Sequence, residues 1–269
     1  MDYEIAIPSY KRANILVEKT LKLLSSIPKE NIKIFIRNEE ELDNYIQICG
    51  NDYNYIITEA SGIKNTRNYL RKYYKNKELD LVLFIDDDIE KLEEYVDKKT
   101  LKPVENLEEV LSLIYTETKK RNLSFFGVCG FNNPFFMSNK VSTNLKYIIG
   151  AFCGIIEPQK YPLIETSIDH GEDYEFSILH FLEDGGVCRF NMYCITTKYY
   201  NQVGGICEDM GGLKKRNENA KVNFNDLVSK YPRMCRIVKK CELYDLKLNF
   251  RFKKDNSGKY LEWIKEQQR

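Results

Sequence analysis

Three consecutive aspartates, Asp86, Asp87 and Asp88, follow the apolar run Leu81-Val82-Leu83-Phe84-Ile85 with no spacer. Hard carboxylate oxygens suit Mg2+ or Mn2+, which take one or two protein carboxylates and leave positions for substrate phosphates. If the extended geometry persists past Ile85, Asp86 and Asp88 point to one side and Asp87 to the other. Two carboxylates converging there repel each other unless a cation sits between them. The competing reading is a solvated acidic turn leading into a helix over 90–94. A second acidic group, Glu172 and Asp173, follows His170 and Gly171 at the head of a periodic apolar stretch. Asp173 is the candidate general base for an attacking hydroxyl, with Glu172 the alternate. Capping the next helix is the plain alternative for both. His170 is placed either to contact an acceptor or to sit satisfied in its loop.

These groups need elements that bring them to one edge. The chain reads as short strands over 4–8, 32–36, 53–57 and 81–85, separated by helical periodicity over 13–24, 39–48 and 63–74. Such alternation predicts βαβ units and an α/β fold with a central, mostly parallel sheet. Ligands of open α/β sheets lie beyond the carboxyl ends of the strands. Asp86–Asp88 fall there, as do Pro8, Ser9, Tyr10 and Arg12. Capping a helix is the alternative for Ser9. Arg67, near the start of the 63–74 helix, is suited to hold a phosphate or Asp86; a surface salt bridge is its bland alternative. Further on, the pattern predicts helices over 107–121 and 174–182 and strands over 125–130, 147–156 and 187–196. Phe131, Phe135 and Phe136, beside Asn132-Asn133-Pro134, read as core or lid residues, or as a stacking surface for an extruded base.

A net charge of +1 excludes a global field that would draw the chain to nucleic acid or membrane. The local balance differs. Over 213–254, thirteen basic residues stand against four acidic ones, led by Lys214, Lys215 and Arg216. This stretch reads as a basic, helical extension, and a solvated face is the usual meaning of such runs. The expected organisation is a main domain over 1–205, its halves meeting near residue 90, with an extension over 206–269. A hydrophobic content of 43% places the chain among packed globular proteins, not disordered ones. The eight cysteines form no CxxC pair, and two histidines are too few for a Cys/His zinc site. Cys129 and Cys153 stand in apolar surroundings as small hydrophobes. The start lacks signal-peptide features and no run is long enough to span a membrane, so an intracellular location, cytoplasmic or nuclear and not secreted, is expected.

Four ordered motifs carry a resemblance: Ile7-Pro8-Ser9-Tyr10-Lys11-Arg12, Gly62-Ile63-Lys64-Asn65-Thr66-Arg67-Asn68, Phe84-Ile85-Asp86-Asp87-Asp88 and Gly171-Glu172-Asp173-Tyr174-Glu175. Together they resemble a GT-A glycosyltransferase. The resemblance implies transfer of a sugar from a nucleotide-diphosphate donor, such as a UDP-sugar, to a hydroxyl, with Mn2+ or Mg2+ as cofactor. It implies donor contacts from Pro8, Ser9, Tyr10, Arg12, Arg67, Asp86 and Asp87, a metal on Asp88 and Asp86, and a base at Asp173 or Glu172. The late histidine that many such enzymes use as a third ligand has no match; only His180 follows, inside a predicted helix. Tyr199-Tyr200-Asn201-Gln202-Val203-Gly204-Gly205, then Gly211-Gly212 and the basic run, is similar to the carboxyl end of the TET-associated glycosyltransferases of bacteriophages and other viruses. That narrower similarity implies hydroxymethylated pyrimidines in DNA as acceptor, with His170, Lys214, Lys215 and Arg216 facing it. A saccharide or protein acceptor, or an inactive GT-A fold that binds nucleic acid, are the alternatives.

Overall fold

In the computed structural model, residues 1–197, 213–240 and 243–253 are described. The amino-terminal half contains β1 (Tyr3–Pro8), α1 (Ala13–Glu18), α2 (Thr20–Leu23), β2 (Ile32–Ile36), α3 (Glu39–Cys49), β3 (Asn54–Ile57), α4 (Ile63–Tyr74) and β4 (Leu81–Ile85). These are the anticipated βαβ units, with the first helix broken at Lys19. Strands β5 (Lys91–Asp97) and β6 (Thr100–Pro103), helix α5 (Leu107–Lys120), β7 (Phe125–Cys129), β8 (Val141–Ser142), β9 (Phe152–Ile156), α6 (Glu172–Asp184) and β10 (Cys188–Thr196) follow. Helix α7 (Leu213–Lys230) and the strands β11 (Cys235–Lys240) and β12 (Leu243–Leu248) complete the described chain.

The main sheet runs β3-β2-β1-β4-β9-β7-β10-β5-β6, with β8 also paired to β10. Strands β1 to β4 are mutually parallel, and β7 and β10 share their direction. Strand β9 runs antiparallel between β4 and β7. All five residues of β4 are buried, as its unbroken apolar run requires, although one of its two neighbours is antiparallel. Because β1, β4, β7 and β10 end at one edge, the loops carrying Ser9, Asp86 and Thr197 converge there. The reversed β9 brings its amino end, residues 147–151, to that same edge.

Three expectations change. Residues 90–94 are not helical; they belong to β5, whose Leu92 sits opposite Ile195 of β10 while Glu93 and Glu94 remain half-exposed. Charges beside the last strand of a sheet suit an edge and not a helix face. Of the strand expected over 147–156, only Phe152–Ile156 is extended. The basic extension is helical in α7 alone, after which β11 and β12 form an antiparallel hairpin. Its core joins that of the main body: Phe224 and Leu227 of α7 lie in one buried cluster with Phe176 and Phe181 of α6. The expected boundary at 205/206 and the segment Tyr199–Gly205 with Gly211-Gly212 lie outside the described residues. No helix among the described residues is long and apolar enough to cross a membrane.

Gly154 shows how tightly β9 is set. A Cβ built there would lie 2.2 Å from the Val82 carbonyl oxygen and 2.3 Å from the Phe126 ring. Backbone cannot yield as a side chain does, so Gly154→Ala should destabilise the protein by about 3 kcal/mol in urea unfolding, the upper part of the overpacking range.

Candidate active site

The first-strand loop and the aspartate turn are locked together. Ser9 is buried, donates to Asp87 Oδ2 at 2.6 Å and shares a 2.7 Å hydrogen bond with the Tyr45 hydroxyl. Its side chain does not cap α1, whose first turn follows Arg12. Arg12 Nη1 lies 3.3 Å from Asp87 Oδ1 and 3.5 Å from Asp88 Oδ2. Asp87 therefore faces inward and braces the loop; burial pushes its carboxyl up to about 7. Thr20 ties the turn from behind, donating to the Asp86 carbonyl at 2.8 Å and accepting from Ile89 N at 3.0 Å. Asp88 Oδ1 accepts from Thr197 at 2.9 Å. Burial and then the neighbouring Asp86 hold Asp88 above the ordinary carboxylate range. Tyr10 is half-buried, with the Arg37 guanidinium 3.5 Å from its ring centroid.

A second set of contacts centres on Arg67. Helix α4 turns Arg67, Leu70, Arg71 and Tyr74 inward, an i, i+3, i+4, i+7 stripe with two cations in it. Helix α6 buries Glu172 and Glu175. Arg67 Nη2 donates to Asp86 Oδ1 at 2.8 Å, and its Nε lies 3.0 Å from Glu172 Oε1, close enough for an ion pair although the N–H is not aligned on that oxygen. Nη1 donates to the Gly150 carbonyl. Burial alone would depress this guanidinium; Asp86 and then Glu172 outweigh it and hold it above its ordinary value. One turn on, Arg71 is pushed down to about 10 by burial, since its hydrogen bonds go to uncharged Asn68 and Thr166 and its face lies on Phe176. The bland reading of Arg67 as a surface salt bridge is excluded by its burial.

Asp173 sits at the amino end of α6. Its Oδ2 accepts from the Tyr147 hydroxyl at 2.6 Å and from Gly150 N at 3.3 Å, and its Oδ1 accepts from Tyr174 N at 3.0 Å. Burial raises it, and the Tyr147 hydroxyl and Arg67 oppose that rise. Glu172 is raised by burial and by Asp173, with Arg67 opposing. The backbone of Gly150 thus serves both groups, its carbonyl oxygen accepting from Arg67 and its N–H donating to Asp173. A Cβ at Gly150 would lie 2.9 Å from Arg67 Cζ, so the flat guanidinium needs glycine there.

The structure joins Ser9, Arg12, Arg67, Asp86, Asp87, Asp88, Glu172 and Asp173 through these contacts, with Pro8 and Tyr10 in the same loop. His170 is half-buried with its ring 5.5 Å from Phe224, against α7. His180 is buried, stacked on Phe125 at 4.5 Å and bonded to Ser124, a core role. Lys214, Lys215 and Arg216 stand in the first turn of α7, and their side chains lie outside the described residues. Phe135 and Phe136 are 64% and 68% exposed, so they are not core. Sequence reasoning missed Thr20, Tyr147, Gly150, Glu175 and Thr197. Only Glu175 left a signal: an acid on the apolar face of α6 must find donors, and it takes Ser167 N at 2.6 Å, Ser167 Oγ at 2.7 Å and Ile168 N at 3.2 Å.

Among the described residues, no three His, Cys, Asp or Glu side chains gather to hold a metal. The two-carboxylate set nonetheless fits a hard cation that keeps positions for phosphate. Among the described residues, Asp86 Oδ2 carries no hydrogen bond, and the mutual repulsion of Asp86 and Asp88 is what a cation relieves.

Among solved structures, the chain is similar to the mannosyltransferase PcManGT from Pyrobaculum calidifontis in complex with GDP-Man and Mn2+, with a TM-score of 0.50 and 9% identity. That match covers 85% of this chain and 64% of the other. The fold is GT-A-like. S. aureus TarS 1–349 aligns at a TM-score of 0.45 and 12% identity over 85% of this chain and 66% of its own. A protein assigned as a nucleotide-diphospho-sugar transferase from Desulfovibrio desulfuricans G20 aligns at 0.48 and 9% over 86% and 99%. The chain spans less than two thirds of the mannosyltransferase and TarS chains. No family model and no curated protein matches the sequence.

Removing the central cation should be costly. Arg67→Met leaves Asp86 and Glu172 without their shared partner, and a broken buried pair typically costs about 3–5 kcal/mol. A comparable drop in unfolding free energy in urea is expected; a change below about 1 kcal/mol would refute the central role of Arg67.

Proposed function

We propose that this protein is a divalent-metal-dependent glycosyltransferase that moves a sugar from a nucleoside-diphosphate donor to a hydroxymethylated pyrimidine base in DNA. One observation carries the transferase reading: a single buried arginine links the strand-end carboxylate Asp86 to the pair Glu172 and Asp173. Donor-side and acceptor-side acids are thereby held in one network at the carboxyl edge of the sheet, where α/β folds bind ligands.

Asp88 and Asp86 would hold Mn2+ or Mg2+, which supplies Lewis-acid neutralisation of the donor diphosphate. Arg12 and Ser9, fixed by Asp87, shape the loop that receives the nucleoside. Tyr10, with Arg37 stacked on its ring, offers an aromatic surface to the base. On the acceptor side, Asp173 takes the hydroxyl proton as the new C–O bond forms and the bond to the diphosphate breaks. Its Oδ2 is committed to Tyr147 and Gly150, so Oδ1, with one backbone donor, is the oxygen with room for that proton. Glu172 is spent on Arg67. A single base on the acceptor side suits direct, inverting displacement.

The DNA acceptor is supported by the sequence similarity and by the helix–hairpin unit. Arg236 and Lys247 are directly opposed across β11 and β12, and Lys221 and Lys239 both lie against the Tyr244 ring, at 5.5 and 6.0 Å. None of the four has an ion-pair partner among the described residues. Like charges held together without counter-charge favour a polyanion.

Incubation with UDP-glucose, Mn2+ and DNA carrying 5-hydroxymethylpyrimidines should add a hexose to the base, read by mass spectrometry; no transfer from any of several nucleotide-sugars would overturn the DNA reading. Asp88→Asn should lose metal-dependent donor hydrolysis. Asp173→Asn should keep donor binding and lose transfer by about 100-fold or more. Tyr147→Phe removes a donor to ionised Asp173, so its carboxyl becomes harder to ionise. The acid limb of the rate profile should therefore move to higher pH, and an unmoved limb would remove Tyr147 from this role.

A further inference from the structure

Lys146 and Arg189 form a half-buried pair of cations that the mechanism above does not use. Lys146 directly precedes Tyr147, and Arg189 is the second residue of β10. Arg189 Nη1 donates to the Tyr147 carbonyl at 3.4 Å and its Nε to Asn191 Oδ1 at 2.8 Å, which fixes the guanidinium beside the residue that holds Asp173. The Lys146 ammonium has no hydrogen bond or ion pair among the described residues; its contact is with the Phe250 ring, 4.9 Å from the centroid. Arg251 lies 5.5 Å from the same ring, and Asn144 anchors that turn by donating to the Phe250 carbonyl at 2.7 Å. The main body and the extension therefore contribute to one cationic cluster around a partly exposed aromatic ring.

Among the described residues, no carboxylate forms an ion pair with either member of the pair. Burial pushes Lys146 down and Arg189 pushes it further, with only the Cys129 thiol opposing. Arg189 is likewise pushed down by burial, again with Cys129 alone opposing. Arg67 at this edge meets acids, and Arg71 meets neutral acceptors as Arg189 does; the Lys146 ammonium has neither among the described residues. Two like charges taken partly out of water are unfavourable unless an anion joins them. An arginine fork beside a lysine suits two non-bridging phosphate oxygens.

We infer that Lys146 and Arg189, with Arg251 at the rim, form a phosphate subsite that takes a phosphodiester of the acceptor strand next to the reacting base. The assignment to the acceptor side follows from position, since Arg189 donates to the carbonyl of Tyr147, whose hydroxyl holds Asp173. The choice of a DNA phosphodiester rests on the proposed function, whereas the anion site itself does not.

Two measurements on the full chain test it. In thermal unfolding with inorganic phosphate as probe, wild type should gain stability as phosphate is added. Lys146→Met should begin with a higher Tm in phosphate-free buffer, because the repulsion is relieved, and should no longer respond to phosphate. Arg189→Gln should also lose the response. In fluorescence anisotropy with a short single-stranded oligonucleotide, Lys146→Met should bind roughly tenfold more weakly at low salt. It should also lower the slope of log K against log salt by about 0.7. No phosphate response in wild type, together with an unchanged salt slope in both variants, would overturn the subsite. Weakened UDP-glucose binding with an unchanged oligonucleotide slope would overturn the acceptor assignment and give the site to the donor diphosphate. Absence of oligonucleotide binding by wild type at any salt would overturn the DNA acceptor, while a phosphate response abolished by Lys146→Met would still support the anion site.

Discussion

A buried guanidinium carries its charge into a poorly solvating interior and is strongly favoured by acids placed beside it, and the arrangement around Arg67 follows from that constraint. Helix α4 carries the charge into the core on its apolar stripe, and helix α6 arrives with Glu172 on its own buried face. Strand β4 ends where Asp86 can reach the same group. Three separate elements are thus held to one another by charge at a point where apolar packing alone would set no register. The contrast with Arg71 makes the point: the same helix and the same burial, with neutral partners, give a depressed guanidinium.

The sheet decides where this meeting point lies. Parallel strands β1, β4, β7 and β10 deliver their following loops to one edge, and three of those loops bear Ser9, the aspartates and Thr197. Strand β9 enters from that edge because it runs the other way. Its lead-in segment can therefore meet α6 and α4, and it does so through the Tyr147 hydroxyl and the Gly150 backbone. The hairpin of the extension adds a further tie, since the Tyr174 hydroxyl donates to Asp245 at 2.8 Å while the Tyr174 ring stacks on Tyr147 at 4.2 Å.

Much of this was legible in the residues. The unbroken apolar run before Asp86, the period of α4 and the alternation of strands and helices led directly to the observed amino-terminal half. Asp86, Arg67, Glu172 and Asp173 were identified from residue type and position, and the structure links them through Arg67. What could not be read was pairing that depends on distant chain. Nothing local in 147–156 says that its first half is irregular, and nothing near Asp88 points to Thr197. The acids of 90–94 look helical until β10 is known to lie beside them. Asp87 illustrates a different limit: alternation along a strand correctly separated it from its neighbours, but only the fold shows that its side leads to Ser9 and Arg12.

The Gly150 backbone has an implication for motion. Its N–H, in the peptide shared with Ile149, donates to Asp173, and its carbonyl, in the peptide shared with Ala151, accepts from Arg67. The two rigid planes meet at one α-carbon, so a change in the Gly150 dihedrals alters both contacts together. Under the proposed function, a donor drawing on Asp86 would pull the guanidinium and, through this one residue, bear on Asp173.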